Sequence, residues 1–243
     1  MAIGVRQMNS SPEGIGFEGP IREDTVRVAG RTIRLVRPVE PDRLLDDPSV
    51  IARNAAEDYM PYWAYLWPGS VLLGEAVATL GPGGGAWALE LGCGLGLSGL
   101  VAVAQGWRVR FTDHDPTTLR FLEASAAANG FDPSAYSTAL LSWEDPPEGE
   151  RYPLILGADV TYEARLVPLV VRAIAALLAP GGLALLSDPN RTAAEGLGEA
   201  ARRVGLEVES TPAEGDFEGV GRIRGTIHRV RNPGAAEGNP GRW

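Results

Sequence analysis

Apolar and polar positions repeat along this chain with two different periods, and the switches between them outline the architecture. Between residues 25 and 36 the segment TVRVAGRTIRLV alternates one for one about Ala29-Gly30, which predicts a hairpin closed by a tight turn. From residue 86 onward, apolar runs at 86–91, 108–113, 136–141, 154–159, 183–188, 206–210 and 223–230 read as strands. Apolar positions three or four apart fill most of the gaps and predict helices over 98–105, 117–129, 164–178 and 193–204. One more helix is expected over 70–80, with Ser70 as its N-cap. Strands that alternate with helices imply crossovers and a mostly parallel sheet. The last two runs leave no room for a helix between them, so they pair antiparallel. The expected class is α/β: a seven-stranded, mostly parallel sheet with its last strand antiparallel, helices on both faces, and an N-terminal β-hairpin.

One domain over 25–231 accounts for these elements, with the hairpin and a polar, Asp- and Pro-rich lead-in at 25–58 and the sheet core at 59–231. The core opens on the aromatic segment Tyr59-Met-Pro-Tyr-Trp-Ala-Tyr-Leu-Trp-Pro68. Residues 1–24 are expected to be disordered, and 232–243, rich in Gly, Pro and Asn, to form a flexible tail.

Composition narrows the chemistry. A formal net charge of -9 leaves no basic surplus to neutralise phosphates and argues against nucleic acid as a partner. Five arginines between residues 22 and 37 are read as the solvated faces of the hairpin. The chain holds no lysine, which excludes Schiff-base chemistry. A single cysteine, Cys93, excludes internal disulfides and cysteine-based zinc sites, and two histidines give little support to a metal centre. No apolar run approaches the roughly 20 residues that span a bilayer, and no signal-peptide pattern opens the chain. A cytoplasmic protein without membrane contact is the simplest expectation.

The most informative stretch is Leu89-Glu-Leu-Gly-Cys-Gly-Leu-Gly-Leu-Ser-Gly-Leu100. A strand runs into a glycine-rich turn that opens a helix, so backbone comes close to a ligand. Gly94, Gly96 and Gly99 also fit the dinucleotide fingerprint GxGxxG, a weak signal by itself. Glu90 discriminates: a carboxylate at this turn repels a diphosphate and favours a cationic ligand.

The run ELGCGLG followed by the strand Val109-Arg-Phe-Thr-Asp113 resembles the first two motifs of class I, Rossmann-like methyltransferases, over roughly residues 62–230. That resemblance implies S-adenosylmethionine as cofactor. It sets Gly92, Cys93, Gly94 and Gly96 around the methionine end, Glu90 on its amino group and Asp113 on the ribose hydroxyls. His114 falls beside the adenine, Trp143 packs on the purine, and Trp67 and Asp159 border the cofactor.

Three further stretches narrow the resemblance. Asp159-Val-Thr-Tyr162 has the D-x-x-Y form of a group of protein lysine methyltransferases. The segments 61–68 and 186–191 resemble those of the electron-transfer-flavoprotein β-subunit lysine methyltransferases and their bacterial relatives, although Thr161 stands where those favour an aromatic residue. By this resemblance the partner is a protein bearing a lysine. Asp159 and a backbone carbonyl orient its amine, Tyr162 completes the channel, and Tyr62 and Trp63 line it. Arg191 pairs with Asp188 or grips an acidic substrate surface. A small-molecule methyltransferase, a non-catalytic cofactor-binding protein and a nicotinamide-dependent oxidoreductase are the competing readings, because one fold serves many acceptors.

Overall fold

The computed structural model describes residues 6–8, 15, 17–190, 194, 196–217 and 220–234. Its first unit is a small antiparallel sheet of β1 (Arg6–Met8), β2 (Ile21–Val28) and β3 (Arg31–Pro38). Val28 pairs with Arg31 across the predicted turn, and Ala29 and Gly30 both take positive φ, as a two-residue hairpin loop requires. The hairpin begins at Ile21, four residues before the predicted start. The expected disorder up to residue 24 is therefore corrected there: Ile15 and Ile21 are buried with Val36, Trp63 and Phe121, partners remote in sequence. The arginines divide. Arg27, Arg31 and Arg34 are exposed as expected, but Arg22 and Arg37 flank the buried carboxylate of Asp24 at 3.0 and 2.6 Å.

The main sheet comprises β4 (Trp87–Leu91), β5 (Arg108–Asp113), β6 (Tyr136–Leu140), β7 (Tyr152–Ala158), β8 (Leu178–Asp188), β9 (Glu207–Phe217) and β10 (Gly221–Arg231). Their order is β6-β5-β4-β7-β8-β10-β9, parallel from β6 through β8, with β10 antiparallel to both neighbours. The expected sheet is thus the observed one. Two boundaries differ. The strand predicted from 183 already starts at Leu178 in β8, and β9 runs seven residues beyond its predicted end, carrying Pro212 on the sheet edge where its missing N–H breaks no ladder. Residue 232 is no longer tail, because Asn232 accepts from Gly181 N at 2.9 Å and donates to Leu178 O at 3.2 Å.

Six α-helices complete the described residues: α1 (Pro48–Glu57), α2 (Pro68–Ala78), α3 (Leu97–Ala104), α4 (Pro116–Ala128), α5 (Val167–Leu177) and α6 (Leu197–Arg203). The predicted Ser70 cap is corrected to Trp67, with Pro68 at the first helical position; the Ser70 hydroxyl turns back to Trp67 O at 2.7 Å. Period-two alternation in β4 divides the core. Ala88 packs with α2, α3, α4 and the hairpin on one face, whereas Leu89 and Leu91 join α5 and α6 on the other. The open edge of β3 is closed by α4, whose Ser125 Oγ and Asn129 Oδ1 accept from Val36 N and Arg34 N at 2.9 Å each. No helix among the described residues is long and apolar enough to cross a membrane.

Candidate active site

The chain leaves β4 toward β5 and leaves β7 toward β8, on opposite sides, so the order of the sheet reverses between β4 and β7. Open α/β sheets bind ligands beyond the carboxyl ends of strands at such a point. The loops after β4, β5, β6 and β7 converge there.

In the β4 loop Gly92, Gly94 and Gly96 all take left-handed φ, at 57, 50 and 72°. Each glycine has its own neighbour. A Cβ on Gly92 would stand 2.9 Å from the Trp143 indole and 3.3 Å from Val160 Cγ1; one on Gly94 would meet only the Trp63 backbone, at 3.7 Å. Gly96 faces inward instead, where a Cβ would fall 2.1 Å from Leu122 Cδ1. Its expected place around a ligand is corrected to a packing role under α4. Cys93 contributes backbone to the loop while its thiol is buried in the core, where burial and the nearby Asp113 and Glu90 push its pKa up.

Glu90 is corrected as well. Period two turns its side chain toward α3, and it is 1% exposed. Ser98 Oγ donates to its Oε1 at 2.6 Å and Gly99 N at 3.2 Å, while Oε2 has no hydrogen-bond partner among the described residues. It braces the loop from behind instead of meeting a ligand's amino group. Burial lifts its pKa to about 7, with those two bonds pulling the other way and Asp113 adding to the rise.

Asp113 ends β5 and fastens the loop from the far side: Gly94 N donates to Oδ2 at 3.1 Å, and Asp115 N to Oδ1 at 3.1 Å. His114 Nδ1 lies 3.2 Å from Asp113 Oδ1, and that bond raises the pKa of a largely exposed ring. Asp115 then caps α4, accepting from Thr117 N at 2.8 Å. Its second oxygen takes the Tyr59 hydroxyl and Arg53 Nη1, the latter at 3.2 Å, and Arg53 lies over the Tyr59 ring at 3.5 Å. Burial would raise the Asp115 pKa, but the hydrogen bonds from Tyr59, Thr117 and Arg53 outweigh it and hold the carboxyl below its usual range. Arg53, Tyr59 and Asp115 went unseen in the sequence. The only local signals were two Asp-Pro steps, 47–48 and 115–116, each an N-cap followed by proline.

Asp159 follows β7 in left-handed backbone, φ 55°, its N–H bonded to Ser187 O at 3.0 Å. Its carboxylate lies on the first turn of α2, where a Cβ on Gly69 would come within 2.1 Å of Oδ2. Tyr162, Tyr62 and Trp67 gather beside it: the Tyr62 ring meets Tyr162 edge-to-face at 5.5 Å and Trp67 at 5.9 Å. Trp67 Nε1 donates to Tyr62 O at 2.8 Å. Burial raises the Tyr162 pKa above the usual phenol value, helped by Glu163. Trp63 departs from expectation. It is buried against Phe121 at 5.2 Å and donates to the Tyr59 hydroxyl at 3.2 Å, so only its backbone borders the glycine loop. Asp188 is buried and accepts from Thr161 Oγ1 at 3.4 Å; Arg191 lies outside the described residues.

Known proteins fit this geometry. The chain is 35% identical over 105 residues to the protein N-lysine methyltransferase METTL21A of Danio rerio, covering 41% of this chain and 47% of that protein. To the EEF1A lysine methyltransferase 3 of Mus musculus it is 31% identical over 105 residues, 42% of this chain and 45% of the other. It thus spans less than half the length of either. Among solved structures, a Thermus thermophilus 16S rRNA N2 G1207 methyltransferase in complex with AdoMet and guanosine superposes with a TM-score of 0.56 at 18% identity, over 87% of this chain and 50% of that one. A putative transferase from Pyrococcus horikoshii gives 0.54 at 17%, over 86% and 72%. The lysine methyltransferase family model matches residues 75–196, from α2 past the end of β8. That span is half of the chain and holds the glycine loop, Asp113, Trp143 and Asp159-Val-Thr-Tyr162, and on it the chain belongs to the lysine methyltransferase family.

Proposed function

We propose that this chain transfers the methyl group of S-adenosylmethionine to a lysine side-chain amine of a protein. One observation carries the reading: a buried carboxylate, Asp159, shares the rim of the sheet's crevice with an aromatic cluster, Tyr62, Trp67 and Tyr162, directly across Val160 from the glycine loop.

The residues suit a cationic cofactor. The acids that end β5 and follow β7, Asp113 and Asp159, disfavour a diphosphate and favour a sulfonium and an ammonium. Gly92 and Gly94, left-handed and without side chains, would give the amino-acid end their backbone, Asp113 would hold the ribose hydroxyls, and Trp143 and His114 would flank the base. When bound, the cofactor supplies an electrophilic methyl group. The protein's part is to position a neutral amine in line with it, and positioning of that kind contributes much of such a rate. A lysine ammonium has an ordinary pKa of about 10.4. Desolvation in the crevice disfavours the charged form and helps it release its proton to water. Asp159 holds an N–H of the incoming amine and so aims the lone pair, while Tyr162 closes the channel.

Transfer of labelled methyl groups into a protein lysate tests the proposal, with wild type compared to Asp159→Asn. Asparagine tolerates left-handed backbone, so the substitution removes charge without forcing the main chain. The expected result is labelled lysine in protein with wild type, a loss of labelling in the variant, and retained binding of S-adenosylhomocysteine by both. Label confined to a small soluble product sinks the lysine reading, and undiminished labelling by D159N removes Asp159 from it.

A further inference from the structure

Helix α1 was not foreseen, and its ten residues include none that is buried. What holds it is polar. Arg53 Nη1 reaches Asp115 Oδ2 at 3.2 Å, Asn54 Nδ2 reaches Tyr59 O at 3.0 Å, and at its C-cap Asp58 Oδ2 meets Arg165 Nη2 at 2.9 Å. The first of these contacts leads inward. Asp115, its side chain 3% exposed, donates its own N–H to Asp113 Oδ1, and Asp113 Oδ2 accepts from Gly94 N. A continuous relay of contacts thus joins the outer helix to the glycine loop: Arg53, Asp115, Asp113, Gly94.

From this relay we infer that Arg53 is a positioning residue for the cofactor pocket, acting through Asp115 and without touching the ligand. The inference rests on the cofactor reading above. The guanidinium does two things at once: it stacks on Tyr59 and pairs with Asp115, so the Tyr59 hydroxyl, the Asp115 carboxylate and the cation form one closed cluster. With the cation gone, a nearly buried carboxylate loses a charge partner and its least costly response is to turn toward water. That movement pulls on the Asp115 N–H and, through Asp113, on the loop whose backbone faces the amino-acid end. The outer pair, Arg165 with Asp58, is exposed on both sides and screened, so it contributes little.

Titration calorimetry with S-adenosylhomocysteine on the full chain decides the matter, with apo-protein melting followed in parallel. Arg53→Gln is expected to weaken binding about tenfold, the middle of the range by which contacting residues couple. In an Asp115→Asn background, where the α4 cap is kept, the same substitution should change affinity by less than about twofold. Arg165→Gln is the control and should bind as wild type does. A merely structural arginine would lower the melting temperature without that coupling. Arg53→Gln binding within twofold of wild type, or an equal loss in both backgrounds, overturns the proposal. Should Arg53→Gln fail to fold, Arg53→Lys, which keeps the charge but not the planar stack, is judged by the same cycle. A wild type that does not bind S-adenosylhomocysteine refutes the cofactor reading itself, and the inference falls with it.

Discussion

At Glu90 the strand's alternation, and not the motif around it, decides what the carboxylate meets. The side chain turns toward α3, where Ser98 and Gly99 replace water. Its ionisation is then linked to stability. The carboxyl ionises near 4.5 when exposed but near 7 when folded, so above pH 7 folding must bury a charge, a penalty of about 3 kcal/mol that fades as pH falls from 7 to 4.5. Glu90→Gln removes the penalty. Thermal melts should show the variant gaining on wild type at pH 8 and losing that advantage by pH 5; a difference that does not vary with pH would refute the assignment. The same residue shows what was legible at this scale. Gly92, Gly94, Asp113, Asp159 and Tyr162 lie at or within four residues of a strand end, and strand ends were readable. Which way Glu90, Gly96 and Trp63 face was not. In the tight turn Tyr62–Ala64, successive residues point in different directions, and only Phe121, far along the chain, makes Trp63 a core residue.

Elements with an apolar stripe were legible, and α1 lacks one. It escaped notice because it is held by caps and ion pairs instead of by buried surface. Helix α2 was seen, but its first turn carries a constraint that no local pattern reveals. Gly69→Ala in a helix ordinarily stabilises, by up to about 1 kcal/mol. Here the added Cβ would fall 2.1 Å from Asp159 Oδ2 and 3.0 Å from Ser187 Oγ, so the carboxylate must move aside. Methyl transfer by Gly69→Ala should fall by about tenfold or more, while S-adenosylhomocysteine affinity stays close to that of wild type. Full activity in this variant would show that the packing of Asp159 on α2 is irrelevant to the reaction.

Taken as a whole, the hairpin belongs to the core and is not an appendage to it. Val28, Ile33 and Leu35 share one apolar cluster with Val71, Leu100 and Phe111. Leu35→Ala should therefore cost about 2–5 kcal/mol, and urea unfolding should show a single transition by tryptophan fluorescence and far-ultraviolet dichroism alike; an early transition confined to the hairpin would contradict this. Strand number and direction were readable because strands that alternate with helices imply crossovers, whereas the docking of the hairpin on α4 required contacts between residues nearly a hundred apart. Asn232 and Ile15 also differ in consequence. Asn232 is pinned beside Leu178 and Gly181, at the foot of β8, while Ile15 is buried and its carbonyl accepts from Arg120 at 3.0 Å. A tether or fluorescent partner fused beyond residue 234 therefore hangs from the end of the sheet remote from the crevice. The same cargo spliced in near residue 15 would pry at the apolar cluster that supports Trp63, whose backbone lies against the glycine loop.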